Sequence, residues 1–216
     1  DLDAMAEEGL VRKMRGGATI ESSALFESDY RFRAHHLNSE KSEVAQLAAS
    51  RVEPGMTVMI NDGSTGVAIA EALLQHIPLT IITNNMGIYD RLSDKGGVDL
   101  ILTGGNYLQK YHALHGVAAE TTISRLRADI SLISTAAVDL GSTFSRDQNV
   151  VRVKQMMIKS SAKSYLTVTK NKFRSSALYY VAALQDFDAV ITNPGLPEEI
   201  SVELKDASIP VLNALP

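Results

Sequence analysis

The sequence predicts an α/β architecture, and three observations carry that prediction. From residue 55 onward, short β-rich runs recur at 57–60, 79–83, 99–103, 130–137, 164–169 and 189–192, with a last short one at 209–212. Segments with helical spacing separate them. The runs are largely apolar instead of strictly alternating, the mark of strands covered on both faces. Strands alternating with helices, joined by right-handed crossovers, give a Rossmann-like three-layer sandwich around a mostly parallel sheet.

Composition agrees. The 216 residues suffice for one large α/β domain or a domain with a small appendage. With 45% hydrophobic and 21% charged residues, the chain can bury a core, which excludes a largely disordered protein. It contains no cysteine, so disulfides and cysteine-ligated zinc are excluded, and a reducing cytoplasm fits. No apolar run approaches a membrane span, and the first residues are acidic. A formal charge of −4 argues against a broad nucleic-acid-binding face, so contact with DNA requires a local basic patch or a further domain.

The elements follow in order. In "DLDAMAEEGLVRKMRGGATI", Leu2, Met5, Ala6 and Leu10 suit the end of a helix, with Gly9 as its C-cap. Arg12, Lys13, Met14, Arg15, Gly16 and Gly17 then form a turn or hairpin. A chain that opens inside a helix is expected to be a fragment. Residues 19–33 lack periodicity and read as an arm, 19–36 serving as linker. A helix is predicted over 37–52, with Val44, Leu47, Ala48 and Val52 on one stripe and Pro54-Gly55 as its stop. In 66–76, Val67, Ala70, Leu73 and Leu74 recur at helical spacing, with Ile77 just beyond. In 149–163, Val150, Val153, Met157 and Ile158 do the same beside Met156.

Polar or glycine-rich turns follow several strands: Asn61-Asp62-Gly63-Ser64-Thr65-Gly66, Thr83-Asn84-Asn85, Thr103-Gly104-Gly105-Asn106 and Ser134-Thr135-Ala136-Ala137 with Asp139 and Gly141 beyond. Ligands of open parallel sheets bind at the carboxyl ends of strands. Glycines admit close backbone approach, hydroxyls donate hydrogen bonds, and a following helix N-terminus favours an anion. Each turn also has a plainer reading as a cap or strand exit; their convergence on one edge favours a ligand cradle. The spacings GxGxxG and GxxxxGK[ST] are missing, so neither a dinucleotide nor a nucleoside triphosphate is indicated, and no cofactor is expected.

"INDGST", "TIITNN", "ILTGGNYLQKYHALHGVAAE" and "VTKNKF", in this order, resemble the effector-sensing domain of DeoR-type transcriptional repressors. "DLDAMAEEGLVRKMRGGA" resembles the tail of that family's winged helix-turn-helix. The resemblance implies three parts: a winged-helix remnant at 1–18, a linker at 19–36, and an effector-sensing domain at 37–216. The sensor's fold is similar to that of ribose-5-phosphate isomerase, and its expected ligand is a small phosphorylated sugar or related phosphate metabolite.

Carried over by position, Asn61, Asp62, Gly63, Ser64 and Thr65 line the sugar-phosphate site, Thr83 and Asn84 form a second wall, and Gly104 and Gly105 a third. Asp139 stands in the acidic segment, and Lys172 matches a lysine placed to hold phosphate or to pack at the rim. Arg12, Lys13 and Arg15 of the wing would contact DNA phosphates, with operator binding expected only in the intact winged helix-turn-helix. Homo-oligomers are expected. Many family members carry acidic residues where Asn61, Ala136 and Thr169 stand, and a glutamate near Val150, so the sugar half of the site departs from the pattern more than the phosphate half.

Two other functions compete with a sensor. Aldose–ketose isomerisation needs a positioned general base, and "STAAVDLGSTFSRDQNVV" offers Asp139 and Asp147 but no carboxylate on the turn itself. A pure oligomerisation module with a vestigial pocket is the other. Ser64 lies outside any GxSxG elbow, and His112 and His115 in "KYHALHG" do not specify a metal. The expectation is a non-enzymatic, cytoplasmic effector-binding and oligomerisation domain of a repressor.

Overall fold

The computed structural model describes residues 2–7, 11–19, 30–36 and 38–213. At the N-terminus, helix α1 (Leu2–Glu7) precedes an antiparallel hairpin of β1 (Arg12–Met14) and β2 (Gly17–Thr19). The expected hairpin is therefore present, with the exposed Arg15 in its turn. The expected C-cap Gly9, Leu10 and most of the 19–33 arm lie outside the described residues.

A short helix α2 (Tyr30–His35) and the longer α3 (Asn38–Ala49) lead into the sandwich. The first half of the sheet follows as β3 (Thr57–Ile60), α4 (Ser64–Leu73), β4 (Leu79–Thr83), α5 (Met86–Leu92) and β5 (Val98–Leu102). A small hairpin of β6 (Asn106–Leu108) and β7 (Ala113–His115) then leads to α6 (Val117–Ser124) and β8 (Ala128–Ile133). Next come β9 (Ala137–Asp139), β10 (Ser142–Ser145), α7 (Gln148–Lys159), β11 (Ser161–Thr167) and β12 (Tyr179–Ala183). The chain closes with β13 (Ala189–Thr192), α8 (Glu198–Asp206) and β14 (Val211–Asn213).

Seven strands form one sheet in the order β14-β13-β11-β8-β3-β4-β5, and every pairing is parallel. The chain starts the sheet at β3, winds outward through β4 and β5, then returns to β8 on the other side. That reversal opens a crevice between the carboxyl ends of β3 and β8, where doubly wound sheets bind ligands.

Adjacent side chains along each strand enter opposite layers. Val58 and Ile60 join the core beneath α3 and α4, while Met59 between them joins the core on the α6–α7 face. Ile81 and Ile82, Leu132 and Ile133, and Ile191 and Val190 divide in the same way. This two-sided burial is why the strands read as continuous apolar runs.

The predicted 130–137 run merged three features: β8, the turn Ser134–Thr135–Ala136, and the start of β9. β10 pairs with β9 on one side and β12 on the other in a small antiparallel sheet beside the main one.

Candidate functional site

The crevice between β3 and β8 holds a cavity of about 130 Å³. Asp62, Gly63, Ser64 and Thr65 after β3 line it, as do Ser134, Thr135 and Ala136 after β8, and Thr169, Asn171 and Lys172 after β11. Its remaining walls come from Arg33, His36, Lys41, Tyr111, Ser145, Arg146, Val150 and Lys154.

Asn61 builds the floor. Fully buried, its Oδ1 accepts from the Ser134 N–H at 2.7 Å and its Nδ2 donates to the Asp62 carbonyl at 2.7 Å. One amide thus ties the two switch-point loops together. Thr83 and Asn84 also sit below the cavity instead of lining it. Thr83 Oγ1 donates to the Ile60 carbonyl at 2.6 Å, and Asn84 Nδ2 donates to the Leu114 carbonyl at 2.9 Å. Asn85 closes the turn, donating to the Gly63 carbonyl at 3.0 Å and accepting from the Gly87 N–H at 2.9 Å.

Gly63 initiates α4 at φ 118°, a conformation that L side chains rarely adopt. No side chain caps this helix, so the first N–H groups after Gly63, beside the Ser64 and Thr65 hydroxyls, present donors and the positive end of the helix dipole to the cavity. At Gly66 a Cβ would lie 2.8 Å from the Asn61 carbonyl oxygen, so α4 packs directly on the backbone leaving β3.

Four cations that the sequence reading does not place in the site also line it: Arg33, Lys41, Arg146 and Lys154. Lys154 is buried on α7 among Val150, Val153 and Met157, and Lys41 is buried on α3 with Val44, Ala45 and Ala48. Each is a lysine on a helix's apolar stripe, and that was their legible signal. Lys41 Nζ donates to the carbonyls of Arg33 and His36, fastening the end of α2. Burial, with Arg33 and Lys172 nearby, pushes its ammonium down to about 8.

Arg33, on α2, carries the most telling geometry. A Cβ on Gly63 would lie 3.4 Å from its Nη1, whereas Nε and Nη2 are sealed from solvent with no hydrogen-bond acceptor. These two nitrogens form one edge of the guanidinium, the fork that binds two oxygens of a carboxylate or phosphate. Burial lowers the pKa of Arg33, opposed chiefly by Asp62. For Lys154 too, burial lowers the pKa and Asp62 opposes it. Burial pushes the Asp62 carboxyl up, but Lys154, His115 and Arg33 outweigh that and hold it below the usual carboxylate value.

Not every expected site residue reaches the cavity. Gly104 and Gly105 follow β5, two strands from the switch point and so about 10 Å away across the sheet. There they turn the chain into the β6–β7 hairpin, Gly105 lying against the His115 carbonyl. Asp139 ends β9, which carries it away beside Leu140, Phe173 and Arg174. The uncharged Ala136, Val150 and Thr169 do line the cavity. Arg12 and Lys13 sit on the N-terminal hairpin, but their side chains lie outside the described residues.

The description "DeoR C terminal sensor domain" matches residues 37–194. The chain is 33% identical over 207 residues to the "Glycerol-3-phosphate regulon repressor" of Haemophilus influenzae, covering 95% of this chain and 80% of that protein. It is 31% identical over 210 residues to the protein of the same description from Escherichia coli, covering 97% and 83%. In fold it is similar to a chain of the tetrameric eIF2B-beta2-delta2 complex from C. thermophilum, with TM-score 0.56 and 16% identity over 79% of this chain and 60% of that one. A ribose 5-phosphate isomerase from Plasmodium falciparum aligns at TM-score 0.46 and 15% identity, over 66% of this chain and 55% of that one. The family match spans most of the chain and agrees with two relatives aligned over nearly all of it, so this chain belongs to the DeoR sensor-domain family.

Proposed function

We propose that the chain is the effector-binding and oligomerisation part of a cytoplasmic DNA-binding transcriptional repressor, and that a small phosphorylated sugar or related phosphate metabolite occupies the cavity at the switch point. The observation that carries this reading is the buried Arg33 fork without an acceptor. A buried charged donor left unpaired costs more than the 1–3 kcal/mol of a neutral one. An anion in the cavity would satisfy it, with the phosphate resting on the N-terminus of α4, the Ser64 and Thr65 hydroxyls, Lys41 and Lys172.

The same residue suggests how occupancy is reported. Arg33 lies on α2, directly after the segment leading from the N-terminal hairpin. Tyr30, one helical turn before it, packs at a tilt against His112 with ring centroids 5.1 Å apart and donates its N–H to the Lys110 carbonyl at 2.9 Å. A ligand that engages Arg33 favours the docked position of α2 and so biases the arrangement of paired DNA-binding heads. Arg12, Lys13 and Arg15 would meet DNA phosphates within the intact winged helix-turn-helix.

Catalysis by this cavity finds less support. Among the described residues, Asp62 is the one carboxylate lining it, and its neighbouring cations keep it ionised and weakly basic. Calorimetric or thermal-shift titration of the chain with sugar phosphates, the corresponding free sugars and inorganic phosphate tests the proposal. Ligand at a hundred times its Kd stabilises by about 2.7 kcal/mol, which raises the melting temperature by roughly 5–10 °C in a domain of this size. The reading predicts shifts only with phosphorylated sugars. Silence across a broad panel would leave a vestigial pocket.

A further inference from the structure

The charge in the cavity is divided along its length. Lys41 lies within electrostatic reach of Lys172 and Arg33, and it shares with Ser64 the rim facing the α3–α4 groove. Lys154 enters from α7, on the face of the sheet opposite α3, within electrostatic reach of Asp62 and Arg33. Arg33 sits between them above Gly63. The phosphate end is complete with the α4 N-terminus, Ser64, Thr65, Lys41 and Lys172. The far end is not. There the buried Lys154 and the Arg33 guanidinium, whose Nε and Nη2 are sealed from solvent, share Asp62, the one carboxylate among the described residues that line the cavity. Ser134, Thr135, Ala136, Ser145 and Val150 complete that wall and carry no charge.

A ligand whose far end bore only hydroxyls would leave one buried positive charge without a counter-charge, an arrangement that low-dielectric surroundings strongly disfavour. A single negative charge balances it, and a carboxylate supplies two oxygens for the empty Nε–Nη2 edge of Arg33. We infer that the effector is a phosphorylated sugar acid, its phosphate on the α4 N-terminus and its carboxylate between Arg33 and Lys154. This rests on the proposed function and narrows its ligand class.

The test is calorimetric titration of the chain with 6-phosphogluconate, glucose 6-phosphate, sorbitol 6-phosphate, gluconate and fructose 1,6-bisphosphate, together with the matching four-carbon erythronate and erythritol 4-phosphates. The expected result is that, at one chain length, the acid phosphate binds at least tenfold tighter than the neutral sugar or polyol phosphate. Lys154→Met should weaken the acid phosphates at least tenfold more than the neutral phosphates, which erases that advantage. If that variant is poorly folded because Asp62 is left unpaired, the double variant Lys154→Met with Asp62→Asn removes both charges and must show the same loss of preference. Equal or tighter binding of the neutral phosphates overturns the inference but leaves the proposed function standing. Tighter binding of the bisphosphate overturns the carboxylate assignment. Binding of no phosphorylated compound removes the proposed function and this inference together.

Discussion

Gly87→Ala separates the role of α2 from the cavity itself, because Gly87 lies on α5 and does not line the site. A Cβ built there falls 2.2 Å from Tyr30 Oη, 2.9 Å from its Cζ and 3.0 Å from Val67 Cγ2. Heavy atoms in comfortable contact are about 3.5–4.0 Å apart, so Tyr30 must retreat by more than roughly 1 Å. The retreat loosens its ring contact with His112, and Arg33, one turn along the same short helix, loses its anchor. Glycine to alanine within a helix is otherwise favourable by about 0.8–1 kcal/mol, which offsets the lost packing, so the melting temperature should move little. Effector affinity should not be spared. A charge-assisted hydrogen bond is worth roughly 1.5–3 kcal/mol, so misplacing the Arg33 fork weakens binding about ten- to a hundredfold. Calorimetry on Gly87→Ala reads this directly, and Tyr30→Ala should reproduce it. Unchanged affinity in both variants would refute the coupling of Tyr30 docking to Arg33.

Three further outcomes follow from the same geometry. Ser64→Ala with Thr65→Ala should weaken phosphorylated ligands by a few kcal/mol and leave unphosphorylated sugars unaffected, as measured by titration. Lys41 titrates near pH 8 in the folded chain against an ordinary value of 10.5. An anion stabilises its charged form, so between about pH 7 and 8, where the phosphate is already a dianion, affinity should be level, and it should fall as pH rises above about 8. For stability the sign is opposite: between about 8 and 10.5 the unfolded chain holds the extra proton, so stability rises with pH, and Lys41→Met should flatten that rise in denaturant titrations. Gly66→Ala places a methyl 2.8 Å from the Asn61 carbonyl oxygen and 3.1 Å from Ile60 Cγ2, and should cost about 1–3 kcal/mol of stability in chemical denaturation.

The parts of the fold that were legible are those whose residues declare their burial. Leu79–Thr83 and Ala189–Thr192 are aliphatic and β-branched on both faces, and the sequence reading and the structure agree on their bounds. The strands β9, β10 and β12 were not read because they span three to five residues mixing serine, tyrosine and alanine; only pairing with one another makes them strands. Asp62 to Thr65 were visible as a polar break just after an apolar run, Lys172 only through the family resemblance, and all of them line the cavity. Gly104 and Gly105 gave the same local signal, yet strand order puts β5 at the sheet edge, and order is not written in a turn. Arg33, Lys41 and Lys154 reach the site from three different helices. Two of them were marked by lysine in an apolar stripe, whereas Arg33 sits in a segment without periodicity.

A crystal structure of the chain with the tightest-binding phosphorylated sugar tests the central claim most directly. The account predicts phosphate density at the N–H groups of Ser64 and Thr65, with an oxygen-bearing group on the Nε–Nη2 edge of Arg33. A ligand bound outside the β3–β8 crevice, or one seated there with Arg33 still lacking an acceptor, would contradict it.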